Sequence, residues 1–207
     1  MNAEPLVTPV ARRTARAGGP SRVTTIAVMA VTAILIVGAA YLANRQDGSS
    51  GLTPVNITGN PTGPAPVIGQ AAPAFTATLS DGSSVSLADL KGKALWLTFG
   101  ASWCQPCRSE AADIEASYEA FKARGVVVVQ VFMQEDQAAV QGYAGRVGLT
   151  YLKVPDPATT LSGEYRILGI PTHFFIGPDG VLRQIKVGTM TSDEMSQALA
   201  GLIGSAG

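Results

Sequence analysis

Two cysteines, Cys104 and Cys107, are the only ones in the chain, and they form a single C-x-x-C motif. The motif follows a nearly continuous apolar run at Ala94–Phe99, which is typical of a strand buried on both faces. It precedes Ser109–Arg124, where apolar residues recur at helix spacing and Gly125 marks the end. A C-x-x-C between a buried strand and a long helix predicts an α/β domain with its chemistry where the strand ends.

The spacing of the motif also predicts its chemistry. Cys104 would stand at the helix N-terminus, where unpaired N–H groups and the helix dipole favour an anion. They favour the thiolate, which is the nucleophile of disulfide exchange. Cys107 can then attack a mixed disulfide at Cys104, while Pro106 suits a first helical turn that needs no N–H. Trp103 is placed to cover one side of the site. We therefore predict a thiol–disulfide oxidoreductase.

Composition narrows the other possibilities. The net charge is +0, with 15 basic and 15 acidic residues, so nothing favours nucleic acid as a partner. A zinc site would need a second C-x-x-C or a pair of histidines, and the chain has one His. We expect no metal and no cofactor beyond the redox-active pair Cys104–Cys107.

The N-terminal part of the chain carries a membrane signal. Val23–Ala43 is uncharged and apolar and matches the ~20 residues that a transmembrane helix needs. Four arginines precede it, against one acid, Glu4, which predicts a cytoplasmic basic tail over residues 1–22 and a single-pass anchor over 23–43. These arginines are Arg12, Arg13, Arg16 and Arg22. A cleaved signal peptide is the alternative, but its apolar region usually runs only ~7–15 residues.

Two further regions follow the anchor. Residues 44–67 are rich in Gly, Pro, Ser and Thr and lack periodicity, which predicts a flexible linker. Residues 68–207 read as one α/β domain with a central mixed sheet flanked by helices. Further strands are predicted at Ala74–Thr78, Val126–Phe132, His173–Ile176 and Val181–Val187, and further helices at Asp136–Val147, Thr160–Tyr165 and Ser192–Ile203.

At this point the chain resembles a known family. Trp103-Cys104-Gln105-Pro106-Cys107 resembles the W-C-x-P-C active site of the thioredoxin superfamily, and Ile170-Pro171-Thr172 resembles its cis-proline loop. The resemblance extends from about residue 68 to the C-terminus and includes the membrane-anchored TlpA/ResA-like group. The segments similar to that group are Leu90–Lys93, Cys107–Glu110, Pro178–Gly180 and Val187–Met190.

The resemblance implies a thioredoxin-like fold and a substrate-binding loop. It implies a cis bond between Ile170 and Pro171, which would leave the backbone of Ile170 free to pair with an extended substrate. Thr172, Trp103 and Pro106 complete the implied substrate-binding set. The alternative is an ordinary proline at the start of a strand.

The resemblance also implies a catalytic role for Glu110. Spacing of i to i+3 places Glu110 near Cys107 on one helix face, where it could accept or return the proton of that thiol. A solvated glutamate in the first turn is the alternative. Thr98 occupies the place of thioredoxin's buried Asp, so that proton route is missing here. We expect His173 to be an ordinary packed or exposed strand residue.

The function implied by the group is reduction of protein disulfides outside the cytoplasm, with apocytochrome c as a substrate before haem attachment. Electrons would come from a membrane thiol carrier of the CcdA/DsbD type. Two enzymatic alternatives are weaker. An oxidase or isomerase of the DsbA type usually carries a His within the motif, whereas Gln105–Pro106 has none. A peroxidase pattern would need Pro at position 97 and Ser or Thr at position 101, where this chain has Leu97 and Ala101.

A non-catalytic alternative is a membrane-tethered binding domain with an inert thioredoxin fold. It predicts that function survives Cys104→Ser, whereas the enzyme interpretation predicts that function is lost.

Overall fold

The computed structural model describes residues 22–46, 51–58, 61 and 63–204. The first of its two compact units contains α1 and the second contains every other element. In chain order the elements are α1 (Arg22–Gln46), β1 (Thr53–Pro54), β2 (Thr76–Thr78), β3 (Ser84–Ser86), β4 (Ala94–Gly100), α2 (Gln105–Phe121), β5 (Val126–Met133), α3 (Gln137–Val147), β6 (Leu152–Asp156), α4 (Thr160–Glu164), β7 (Gly169–Ile170), β8 (Thr172–Ile176), β9 (Leu182–Val187) and α5 (Ser192–Gly204).

Helix α1 contains the apolar run Val23–Ala43 and extends it at both ends. Large apolar side chains such as Ile26 and Leu35 are exposed along the described part of the helix. Within the described residues, no helix has the length and apolarity that a membrane crossing requires. The predicted basic tail lies, apart from Arg22, outside the described residues.

The core of the second unit is a five-stranded mixed sheet in the order β6-β5-β4-β8-β9. Strand β4 lies at its centre, parallel to β5 and antiparallel to β8. All seven residues of β4 are buried because helices or loops cover both faces of the sheet. The predicted mixed sheet and the predicted central strand are confirmed.

Alternate residues of β4 supply two separate hydrophobic cores. Leu95, Leu97 and Phe99 belong to one core, and Ala94 and Trp96 belong to the other. Side chains of a strand point alternately to opposite faces, so an unbroken apolar run is what such a position requires. Helices α2, α3 and α5 contribute to the core that contains Trp96.

Strand β6 is absent from the sequence-based prediction. It pairs in parallel with β5 at the edge of the sheet. Pro155 lies within it, and Pro is tolerated on an edge strand because one side of such a strand needs no ladder hydrogen bonds. Pro155 and Lys153 interrupt the apolar pattern, so the strand depends on β5 rather than on its own sequence.

Helix α2 begins at Gln105 with Cys104 as its N-cap, which confirms the predicted place of Cys104 at the helix N-terminus, although the apolar periodicity marked the helix only from Ser109. Its last turn tightens over Lys122–Arg124, and Gly125 ends it at a φ of 86°. A left-handed residue of this kind favours glycine. The whole C-x-x-C motif lies at the beginning of the helix, as predicted.

Part of the predicted flexible linker is instead ordered against the domain. Strand β1 pairs antiparallel with β7, and the described residues from Gly51 onward belong to the same compact unit as the sheet. Gly63 donates its N–H to Glu164 over 3.0 Å. A two-residue strand has no periodicity, so its order comes entirely from backbone partners elsewhere in the chain.

Candidate active site

Cys104 and Cys107 form a disulfide at the start of α2. Cys104 is the N-cap residue, and its Sγ accepts a hydrogen bond from the backbone N–H of Cys107 over 3.2 Å. Pro106 lies in the first turn, as expected from its missing N–H. The N–H and the helix dipole favour negative charge on Cys104 when the disulfide is opened.

The two sulfurs lie below the surface while Trp103 stands above it. Cys104 is 1% exposed and Cys107 is 3% exposed, whereas Trp103 is 45% exposed. The loop before the motif is held by Ser102, whose N–H donates to Glu135 Oε2 over 2.7 Å and whose hydroxyl donates to the other carboxylate oxygen. Trp103 therefore sits on an anchored loop, with its ring available to a partner.

The Ile170–Pro171 peptide bond is cis, as the resemblance implies. The carbonyl oxygen of Ile170 lies 3.9 Å from Cys104 Sγ. Thr172 donates its hydroxyl hydrogen to the carbonyl of Gly169 over 2.7 Å, which braces the loop. The structure thus brings Ile170 next to the nucleophile, with Pro171 and Thr172 following it in the same loop.

Glu110 is buried rather than solvated, being only 3% exposed. Its Oε2 accepts the backbone N–H of Met190 over 3.1 Å, and its Oε1 faces Nε2 of His173 at 3.4 Å. It lies one turn after Cys107, and both residues are on the buried face of α2. The alternative of a solvated glutamate is therefore excluded.

His173 is fully buried and joins this network, which the sequence did not suggest. Its Nδ1 lies 2.9 Å from Thr98 Oγ1 and 3.3 Å from Trp96 Nε1. An indole N–H can only donate, so Nδ1 accepts and Nε2 carries the proton of the neutral ring. That Nε2 has no hydrogen-bond partner among the described residues, and Glu110 is its nearest acceptor.

The register between β4 and β8 is the signal that would have found this network. Thr98 lies directly opposite His173. A threonine in the place of thioredoxin's buried Asp therefore contacts an imidazole from the neighbouring strand.

A second polar pair lies behind Cys107. A Cβ placed on Gly100 would meet Gln130 Nε2 at 3.0 Å and Cys107 Cβ at 3.4 Å, so Gly100 lets all three groups approach. Tyr151 donates its hydroxyl hydrogen to Gln130 Oε1 over 2.5 Å. Burial raises the pKa of Tyr151 well above its ordinary value, so it remains a donor and holds the amide in place.

Thr53 is a further residue that sequence reasoning missed. Strand β1 brings its Oγ1 to 3.7 Å from Cys104 Sγ. No pattern around Thr53 predicts this contact, because it depends on the pairing of β1 with β7. Within the described residues no cluster of His, Cys, Asp and Glu is arranged to hold a metal ion.

Comparison with known proteins places this geometry among thiol–disulfide oxidoreductases. The AhpC/TSA family matches residues 68–185. The thiol-disulfide oxidoreductase ResA of Geobacillus kaustophilus is 33% identical over 138 residues, which cover 67% of this chain and 79% of that relative. ResA of Bacillus subtilis is 34% identical over 123 residues, covering 59% of this chain and 69% of that relative.

Solved structures give the same result. A thiol:disulfide interchange protein of Chlorobium tepidum superimposes with a TM-score of 0.61 at 28% identity, covering 67% of this chain and 99% of that one. A secreted Mycobacterium tuberculosis disulfide oxidoreductase, homologous to E. coli DsbE, superimposes with a TM-score of 0.57 at 27% identity, covering 62% of this chain and 96% of that one. StoA of Bacillus subtilis superimposes with a TM-score of 0.54 at 29% identity, covering 61% of this chain and 96% of that one.

Proposed function

Because this chain is a thiol–disulfide oxidoreductase that belongs to the AhpC/TSA family, we propose that it works as a reductase of protein disulfides outside the cytoplasm. The observation that carries this direction is the buried carboxylate of Glu110, one helical turn from Cys107. A nearby negative charge disfavours a thiolate, and a dithiol whose reduced form is not stabilised gives up electrons readily. The neutral pair Gln105–Pro106 adds no positive charge to offset it.

The proposed reaction uses both cysteines in order. The thiolate of Cys104 attacks one sulfur of the substrate disulfide, forming a mixed disulfide and releasing the other substrate sulfur as a thiolate. Cys107 then loses its proton, for which Glu110 is the proposed acceptor, and attacks Cys104 Sγ. The substrate leaves with two thiols, and the pair Cys104–Cys107 is left as the disulfide seen here. An external dithiol must return two electrons before the next cycle.

The proposed location is the outer side of a membrane, with Val23–Ala43 as anchor and the N-terminus in the cytoplasm. Its support is the uncharged apolar run preceded by arginines, together with the secreted relative from Mycobacterium tuberculosis. A membrane thiol carrier of the CcdA/DsbD type would supply the electrons. Extraction tests this: an anchored chain stays in the membrane pellet at alkaline pH, whereas a released one appears in the supernatant.

The finer proposal for the substrate is apocytochrome c, whose two haem-binding cysteines must be reduced before haem attachment. Its support is the resemblance to ResA-like proteins and the relatives of that name. The chemistry of the site requires only an accessible disulfide on a protein.

The two directions of exchange are separated by rate measurements on the full chain. In the first mixture, the enzyme in its reduced form meets a substrate protein that contains a disulfide. In the second, the enzyme in its oxidised form meets the same substrate protein in its reduced form. A reductase gives the faster reaction in the first mixture, and Cys104→Ser abolishes both. A faster second reaction would instead identify an oxidase.

Peroxide reduction is not proposed, although the AhpC/TSA family name covers peroxidases. The pattern expected at a peroxidatic cysteine would place Pro at Leu97 and Ser or Thr at Ala101. Leu97 and Ala101 are both buried apolar residues and offer no side-chain donor to a peroxide at Cys104.

A further inference from the structure

Residues 51–58 lie against the loop that carries the cis-proline. The antiparallel register pairs Thr53 with Ile170 and Pro54 with Gly169. Val55 continues the pairing by donating its N–H to the carbonyl of Leu168 over 3.1 Å. The backbone of β7, which would otherwise present unpaired groups beside the active site, therefore already has an extended peptide bound to it.

This segment covers the nucleophile. Thr53 Oγ1 lies 3.7 Å from Cys104 Sγ, close to the position that an attacked sulfur would take. Cys104 is 1% exposed with the segment in place. A folded protein substrate cannot bring a disulfide to Cys104 unless residues near Thr53 move away first.

Leu52, the residue before Thr53, packs closely against Gly169. Leu52 lines an apolar cavity of roughly 350 Å³ together with Tyr165, Ile167 and Phe174. A Cβ on Gly169 would lie only 2.8–2.9 Å from the Leu52 side chain, so Leu52 can pack here only because residue 169 is glycine. An aliphatic side chain next to the reacting position is thus matched to this part of the groove.

The segment is also anchored by hydrogen bonds to other elements and by Val55 and Ile57, which pack against the core that contains Phe99. Gln134 Nε2 donates to the carbonyl of Asn56 over 3.4 Å, and the N–H of Thr58 donates to Thr159 Oγ1 over 3.1 Å. Strand β1 itself is only two residues long. A competing peptide that made the same backbone pairs could replace it, because isolated two-stranded pairs are only marginally stable.

We propose that residues 51–55 occupy the substrate groove as a built-in pseudosubstrate, with Thr53 in the place of the reacting cysteine. This inference rests on the proposed function and names its substrate class. The substrate is an extended protein segment with an aliphatic residue directly before the cysteine, paired antiparallel to β7. The substrate cysteine is half of a disulfide, so attack by Cys104 forms one S–S bond and releases the partner sulfur. The chain's own segment competes with that substrate for the groove.

The register is tested by an engineered cross-link in the full chain. Thr53→Cys combined with Cys107→Ala leaves two thiols that oxidised glutathione can join, taking up two electrons. The matched control is Asn56→Cys with Cys107→Ala, since three extended residues place it about 10 Å further along. We expect peptide mapping to find an intrachain disulfide to Cys104 in the first variant and only glutathione adducts in the control. Equal cross-linking in both, or none in either, would overturn the register.

Competition is tested with two hexapeptides, each oxidised as a mixed disulfide with glutathione. The first, Gly-Leu-Cys-Pro-Val-Asn, copies residues 51–56 with cysteine in place of Thr53, and the second, Gly-Asp-Cys-Pro-Val-Asn, also replaces the leucine with aspartate. In single turnovers with the reduced full chain, the half-saturating concentration of the leucine peptide should be at least about tenfold lower than that of the aspartate peptide. Equal half-saturation for the two peptides would contradict the proposed substrate class.

The same assay compares Leu52→Asp with Asn56→Asp, which adds equal charge at an exposed position of the segment. Leu52→Asp should lower the half-saturating concentration of the leucine peptide at least about threefold, because more molecules have a free groove. Asn56→Asp should leave it unchanged. No change in Leu52→Asp would remove the pseudosubstrate, while the proposed function stands if the wild type still reduces protein disulfides. Cross-linking without any such reduction would remove the proposed function instead.

Discussion

Nε2 of His173 lies 3.4 Å from Oε1 of Glu110, and both side chains are buried. The imidazole comes from β8 and the carboxylate from α2, so the contact joins the sheet to the helix that carries the cysteines. The Met190 N–H holds the other carboxylate oxygen. Glu110 is therefore held by the Met190 N–H and lies against the imidazole of His173.

Replacing Glu110 with Gln should increase thiolate formation in the reduced protein. Removal of a nearby negative charge favours ionised sulfur, so the pH at half-ionisation should fall by about one unit. Thiolate absorbance at 240 nm during a pH titration measures this directly. Glu119→Gln is the control, because it makes the same change at an exposed position of α2. Identical titrations for wild type and Glu110→Gln would remove Glu110 from the mechanism.

Thr98→Val should destabilise the protein without enlarging or shrinking the core. The variant removes one of the two donors to Nδ1, while Trp96 Nε1 still donates to it, and losing one buried hydrogen bond costs about 0.5–1.5 kcal/mol. Urea unfolding of the oxidised chain measures the loss. Thr98→Ser keeps the hydroxyl and should recover most of it. A variant as stable as the wild type would mean that Thr98 does not hold His173.

Cys107→Ala should accumulate substrates as mixed disulfides, because no thiol remains to release them from Cys104. Cys104→Ala should accumulate far fewer, since Cys107 lies inside the first turn of α2, whereas Cys104 is the N-cap residue that faces the cis-proline loop. Non-reducing electrophoresis and mass spectrometry of membranes identify the captured proteins. Apocytochrome c among them would support the finer substrate proposal. Equal capture by the two variants would mean that the order of attack is wrong.

Glu194 should give stability that disappears in acid. The Thr191 N–H and then the Lys186 ammonium lower the pKa of Glu194 to about 2 from its ordinary 4.5. A carboxylate whose pKa is lower in the folded than in the unfolded state stabilises the protein fully above pH 4.5. This stabilisation is lost as the pH falls towards 2. The side chain is 45% exposed, so the contribution should stay below about 1 kcal/mol.

Unfolding of Glu194→Gln and wild type at pH 5 and pH 3 tests this. The stability difference between them should be larger at pH 5. A difference that does not change with pH would contradict the assignment.

Much of the fold follows from local patterns. The buried strand β4, the helix with the C-x-x-C motif at its start, and the hairpin of β8 and β9 each have a periodicity or a turn that predicts them. Glycine positions such as Gly125 mark ends that the backbone geometry confirms. These elements are predictable because their own residues decide them.

The unpredicted features depend on partners far away in the chain. Strand β6 contains Pro155 and is held by β5, and strand β1 is held by β7 across more than a hundred residues. The contact of His173 with Glu110 exists only once β8 is packed against α2. Composition favoured a flexible linker before residue 68, but the backbone groups of residues 53–55 find partners that no local pattern reveals.

The equilibrium reduction potential of the Cys104–Cys107 pair tests the central claim most directly. The full chain is equilibrated with defined ratios of reduced and oxidised dithiothreitol, and the two thiols are counted by alkylation and mass spectrometry. The proposed reductase should have a potential close to that of thioredoxin, about −270 mV, or lower. A potential near the DsbA value of about −120 mV would contradict it and identify a disulfide-forming enzyme.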